Sequence, residues 1–179
     1  MTLGFKQQFP WATKDKPSPT NFREKIWAGV GYVKYKNSPM STGRGLSYET
    51  VAQLNTFQKK IHTMRLDPHN RWKAGRKIEM VYRGAGYKII DHFNKGIPEL
   101  EVCTGVQKIK LWLTGSLGEV GDNGKREQII RIHAIVDGKR IDNPERIIPN
   151  DGFEDIIQFS RWFTKPWEGK IIHWTDYRY

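Results

Sequence analysis

The sequence predicts an α+β domain: a curved mixed sheet or small β-barrel with flanking helices. Three observations carry that expectation. Short alternating apolar runs recur along the chain, enough for about five to eight strands. Two or three segments have helical spacing with capping residues in front of them. No internal repeat or heptad run interrupts the mixture. A length of 179 residues suits one domain spanning 1–179, long enough for a real core.

Thr2 to Phe9 reads as a first strand with Leu3, Phe5 and Phe9 inward, ended by Pro10-Trp11. Thr13 to Pro19 is loop by composition. A helix opens at Thr20 or Asn21, with Asn21 and Glu24 spaced as a capping box, Phe22 and Ile26 on one face, and Gly29 as the stop. Residues 30–58 read as an insertion. Glycines and Asn37-Ser38-Pro39 break them, leaving a brief strand at Tyr32 to Tyr35 and a helix from Ser47 to Gln58.

Lys59 to Arg65 leads into a strand. Extended from Ile61, it places Ile61, Thr63 and Arg65 on one face, with Lys60 at the entrance. Asp67 to Asn70 is a turn. Lys77 to Tyr82 alternates as a strand, and Tyr87 to Phe93 reads as a strand or one helical turn. Glu99 to Thr104 and Val106 to Leu113 read as a strand pair, followed by a Gly-rich loop from Gly115 to Gly124. Glu127 to Val136 is the strongest strand; Asp137-Gly138 signals a hairpin into Arg140-Ile141. Asp151, with Glu154 three residues on, reads as the cap of the last helix, whose period is given by Ile156, Phe159 or Ser160, and Phe163. Lys170 to Trp174 closes the chain as a strand.

A net charge of +11 and a pI near 9.8 favour a polyanionic partner, most simply nucleic acid. The single cysteine, Cys103, excludes an intramolecular disulfide. No long apolar run opens the chain, so no membrane association and a cytoplasmic location are expected. The five histidines show no ligand spacing, and the Gly-rich loop lacks the Lys-Ser/Thr of a phosphate-binding loop; no metal or cofactor is expected.

The chemistry-bearing stretch is Lys60-Ile61-His62-Thr63-Met64-Arg65, continued by Arg71-Trp72-Lys73-Ala74-Gly75. A Lys, a Thr hydroxyl and an Arg converging on one pocket suit an anionic or carbonyl-bearing ligand. Trp72, between Arg71 and Lys73, has the pattern of a base-stacking aromatic flanked by cations. The competing reading of the stretch is a solvated basic strand end.

These residues resemble the ASCH-domain family. Its pattern runs from a helix ending in Gly, through Lys-Thr-x-Thr-x-Arg, to a Lys-x-Gly turn, a strand, an acidic Gly-Phe helix start, an aromatic-rich helix and a closing strand. Here these correspond to Phe22 to Gly29, Lys60 to Arg65, Lys73 to Gly75, Ile129 to Val136, Asp151-Gly152-Phe153, Phe159 to Phe163 and Lys170 to Trp174. The chain also looks like the small phage-encoded members. It departs from the pattern in three places: Val30 to Lys59 separates the helix from the motif, Ile61 replaces the first Thr, and Asp151 stands where the family has Glu.

The resemblance implies a PUA-like barrel and a site that binds RNA or a modified nucleotide in a basic cleft. Arg65, Trp72 and Lys73 would be ligand contacts. Some members are similar to amidohydrolases that deacylate cytidine. On that analogy Lys60, Thr63 and Asp151 would be catalytic, with Thr63 as nucleophile and Lys60 as its base. RNA cleavage is a further possibility in the same cleft. A phage-encoded protein-interaction or inhibitor module is the third class, because a contact surface leaves no motif.

Overall fold

The computed structural model describes residues 1–11, 18–31, 57–83, 89–120 and 126–179. In chain order its elements are β1 (Thr2–Lys6), α1 (Phe22–Gly29), β2 (His62–Arg65), β3 (Glu79–Arg83), β4 (Ile89–His92), α2 (Pro98–Glu101), β5 (Gly105–Val120), β6 (Arg126–Val136), β7 (Lys139–Arg140), a 3-10 turn (Pro144–Arg146), α3 (Ile147–Asn150), α4 (Ile156–Trp162) and β8 (Trp167–His173). Among the described residues the strands make two sheets and not a closed barrel. A mixed three-stranded sheet has the order β1-β3-β4, and an antiparallel five-stranded sheet has the order β2-β8-β5-β6-β7.

The α+β class is as the sequence predicts, and the two sheets share one core. Leu3 and Phe5 of β1 lie opposite Met80 and Tyr82 of the parallel strand β3, and all four are buried. β3 is the central strand of its sheet, so Val81 is buried as well. Ile109 and Leu111 of β5 and Ile132, Ala134 and Val136 of β6 alternate inward to the same cluster. Phe9, Phe22, Phe153 and Trp162 pack edge-on or tilted between the layers, with centroids 5.6–6.3 Å apart. Among the described residues no helix is long and apolar enough to cross a membrane.

Several local expectations need correction. α1 begins where predicted, but Asn21 adopts φ 51° and makes no side-chain cap. The first amides turn elsewhere: Phe22 N–H to the Thr20 hydroxyl at 3.4 Å and Arg23 N–H to the Tyr82 hydroxyl at 2.9 Å. Pro98 starts the helical turn α2 where a strand over Glu99 to Thr104 was expected, because its fixed φ suits a first helical position. β5 runs on through Gly115 to Val120, since Gly115 pairs with Ile130 and Leu117 with Gln128; the long apolar partner strand overrides the turn preference of the glycines. Within the stretch Tyr87 to Phe93, Ile89–His92 forms strand β4, and residues 87 and 88 lie outside the described residues. The Asp137-Gly138 hairpin forms, with φ 49° and 83° at its two central residues.

The largest correction concerns Asp151. The cap of α4 is Asp155, whose carboxylate accepts the Gln158 N–H at 2.7 Å. Asp151 instead ends α3, and its side chain is buried. The expected insertion at 30–58, with its strand and helix, lies mostly outside the described residues. Its two flanks meet: Lys60 N–H donates to the Lys25 carbonyl at 2.9 Å, and a Cβ on Gly29 would stand 2.5 Å from the Lys60 carbonyl oxygen.

Candidate functional site

Among the described residues β2 is an edge strand that pairs with β8 alone, with Thr63 opposite Ile172 and Arg65 opposite Lys170. An open edge presents unpaired amides. Here the end of α3 covers it. Ile61 N–H donates to the Asn150 carbonyl at 3.0 Å, and Met64 N–H reaches the Asp151 Oδ1 at 3.3 Å. The residues just after α3 are thereby fixed against the motif predicted from sequence.

Lys60 enters from the other side of this junction. It is 1 % exposed. Its Nζ donates to Asp151 Oδ1 at 2.5 Å and to the Asp151 backbone carbonyl, and lies 4.7 Å from the Phe22 ring centroid. Gly152, at φ 87°, makes room: a Cβ there would sit 3.0 Å from Lys60 Cδ and 3.2 Å from Phe22. Arg65 lies on the same side. Its guanidinium covers the Phe5 ring at 5.1 Å and donates to the Gly4 carbonyl at 2.9 Å, while Lys60 Nζ is 6.0 Å from that ring. Thr63 on β2 is buried, and among the described residues no hydrogen bond joins its hydroxyl to Lys60 or Asp151.

Burial pushes the Lys60 ammonium down to about 8; Asp151 opposes the shift and Arg65 and Lys25 add to it. Burial likewise pushes the Asp151 carboxyl up, against the pull of Lys60 and Arg65. Each partner is thus moved toward its neutral form, the condition in which a Lys can accept a proton and an Asp can donate one.

Sequence reasoning missed several members of this cluster. Lys25 is 2 % exposed and donates to the Gly152 carbonyl at 2.9 Å and to Glu154 at 3.3 Å, so two lysines hold residues 151–154. Its signal was legible: Phe22, Lys25, Ile26 and Gly29 share one helical face, which puts a cation on the apolar side of α1. His62, on the opposite face of β2 from Thr63, is buried and accepts or donates at 2.7 Å with the Tyr179 hydroxyl. The Asn150 amide donates to the same hydroxyl at 2.9 Å. His62 Nδ1 stands 3.9 Å from Asp151 Oδ1, unpaired, and burial holds the ring neutral.

Trp72 and Lys73 are elsewhere. Asp67 accepts the amides of Arg71 and Trp72 at 2.8 and 2.9 Å, which turns the indole inward; Trp72 is 5 % exposed and belongs to the core. The open stacking face expected of it is not presented. Lys73 is exposed, and no contact among the described residues joins either one to Lys60 or Asp151. Among the described residues no group of three or more His, Cys, Asp or Glu side chains is placed to hold a metal ion. Comparison with known proteins brought no match to a family model, to a curated protein or to a solved structure.

Proposed function

We propose that this chain is an ASCH-like domain that binds RNA or a modified nucleotide at the β2–α3 junction, with Lys60, Thr63, Arg65 and Asp151 as its handling residues. The observation that supports this most is the contact between Lys60 and Asp151. The family resemblance is what couples these two positions as site residues; they lie 91 residues apart and meet at 2.5 Å. The net charge of +11 supplies the long-range attraction for a polyanion. On this reading the PUA-like arrangement is an opened variant, two sheets in place of one barrel, and residues 30–58 are an insertion between flanks that remain in contact.

A second reading has a specific observation behind it: hydrolysis of N-acylated cytidine. The Lys60 amine near 8 can accept the Thr63 proton as the hydroxyl attacks the acyl carbon. The raised Asp151 carboxyl can deliver a proton to the departing exocyclic nitrogen. Water then cleaves the acyl-threonine ester. A substrate carbonyl entering here competes with the Lys60–Asp151 hydrogen bond.

Titration of labelled single-stranded RNA and of N-acetylcytidine tests both. Binding should weaken with salt, and Arg65→Ala should cost on the order of 1.5–3 kcal/mol of affinity, the value of a charged hydrogen bond. Thr63→Ala should remove any turnover while sparing affinity, and turnover should rise with pH through about 8. Absence of binding at low salt, or unchanged binding by a folded Arg65→Ala protein, overturns the assignment.

A further inference from the structure

A groove of about 610 Å³ lies between the β6–β7 hairpin, residues 141–146 and residues 177–179. Its lining includes Lys139, Arg140, Arg146 and Arg178, all exposed, against two carboxylates, Asp137 and Asp142. The carboxylates are not equivalent. Asp137 is already engaged, accepting the Lys108 amide at 2.8 Å and the Gln107 side-chain amide at 3.1 Å. Asp142 is exposed and has no such partner among the described residues. Nor do Lys139, Arg140 or Arg146 make an ion pair among the described residues, so their charges face solvent. By contrast, the groove along β3 and β4 balances Lys77 and Lys95 with Glu79 and Glu101.

Two features make the cationic groove a built one. Arg178 is held in place: its Nη1 donates to the Thr175 and Tyr177 carbonyls at 2.8 and 2.6 Å, and Gly105 leaves it room, since a Cβ there would collide with Nη2. The aromatic wall is Tyr177, half-buried and edge-on to Tyr179 with centroids 5.0 Å apart. The Tyr179 hydroxyl is in turn bonded to His62 and Asn150, beside Asp151. A second hollow shares Arg140, Ile141 and Asp142 with the groove and adds Arg131 and His133 but also Glu145, so cations and carboxylates balance there and the excess of cations belongs to the first groove.

Resting on the RNA-binding reading above, we propose that this groove carries the backbone of a single-stranded RNA, with phosphates on Lys139, Arg140, Arg146 and Arg178, a base against Tyr177, and Asp142 accepting from a ribose 2′-hydroxyl. Unpaired cations around a groove suit phosphates, which carry most of the affinity for single strands. An unshielded carboxylate among them repels a phosphate but accepts from a hydroxyl that DNA lacks, which is why RNA is the favoured strand. The strand runs from the hairpin toward Tyr179, one hydrogen bond from the residues around Lys60.

The test is fluorescence anisotropy with short labelled RNA and DNA of matched sequence, on the full chain, across a salt series. The triple variant Lys139→Ala/Arg140→Ala/Arg146→Ala should lose at least about tenfold in affinity at low salt and flatten the log–log salt slope by about 2, near 0.7 for each phosphate no longer neutralised. The double variant Lys77→Ala/Lys95→Ala should stay within about twofold of wild type, because its cations are balanced by carboxylates. Asp142→Ala should narrow the preference for RNA over DNA. Unchanged thermal melting shows that the triple variant is folded. If wild type binds RNA and the folded triple variant binds equally well, the groove is wrong and the RNA reading stands. Equal losses from the triple and double variants show a diffuse field and also overturn the groove. DNA bound as tightly as RNA overturns the commitment to RNA. If wild type binds no RNA at low salt, both readings fall.

Discussion

Two Lys–Asp pairs flank β2, and they are tuned in opposite directions. Beyond its C-terminal end, Lys170 of β8 meets Asp67 at 3.0 Å, with side chains 11 % and 1 % exposed. Before its N-terminal end, Lys60 meets Asp151 at 2.5 Å, with side chains 1 % and 6 % exposed. Burial pushes the Asp67 carboxyl up, but the amides of Trp72 and Arg71 and the Lys170 ammonium outweigh it and hold the group down at about 2. For Asp151 burial prevails over Lys60, Arg65 and a single amide, and the carboxyl moves up. The two differ in how deeply the carboxylate is buried and in how fully it is hydrogen-bonded. Asp67 has two close backbone donors and a Lys, the complement of a finished clamp. Asp151 has a buried Lys and one long amide contact.

Breaking the buried pair should have the largest effect. Lys60→Met strands a carboxylate in the interior and should cost about 3–5 kcal/mol in urea denaturation. Adding Asp151→Leu should recover most of that loss. A Lys60→Met cost as small as an exposed pair would mean that water already reaches Asp151, and the contrast with Asp67 would disappear.

His173 sharpens the comparison, being buried with neither ring nitrogen partnered and standing 5.5 Å from His62. Burial pushes it down to about 4, with Arg178 adding to the shift. Between that value and the ordinary 6.5 the unfolded chain binds more protons, so stability falls as pH falls through this window, by roughly 3 kcal/mol. His173→Leu should flatten the acid limb of the stability profile. An unchanged limb would show that the ring finds a partner in solution.

The smallest effect is expected at the satisfied pair. Lys170→Met leaves Asp67 both amides, so the loss should be on the order of 1 kcal/mol. Asp67 should then titrate higher than its present value of about 2, as read by carboxyl NMR. Its pKa is depressed in the fold, so its contribution is present above the unfolded value and is lost as pH falls toward about 2. In the same spectra Asp151 should titrate above the ordinary carboxylate range, and two carboxyls moving together would remove the contrast.

Local chemistry was readable in advance wherever it depended on neighbours in the chain. Alternation placed Leu3 and Phe5 inward on β1, the helix-stop preference of glycine placed Gly29 at the end of α1, and the Asp-Gly hairpin signal placed the turn before β7. It also placed Thr63 and Arg65 on one face of a strand, with Lys60 at its entrance. The errors share a cause. Asp151 looks like a cap because Glu154 follows it, yet Asp155 wins that role, since its carboxylate reaches the Gln158 amide. Trp72 looks like a stacking platform because cations flank it, yet Asp67 gathers the turn and directs the indole into the core.

By itself the sequence determined the periodicities, the turns, the charge of +11 and the spacing from Lys60 to Arg65. Those are properties of residues within a few positions of one another, where backbone geometry alone decides which side chains share a face. Only the tertiary structure decided that Asp151 meets Lys60 across 91 residues, that Lys25 supports the same segment, and that the described strands form two sheets where one curved sheet or a small barrel was expected. Burial and long-range pairing set those outcomes, because the proton affinity of a buried group depends on which distant donors the fold brings to it.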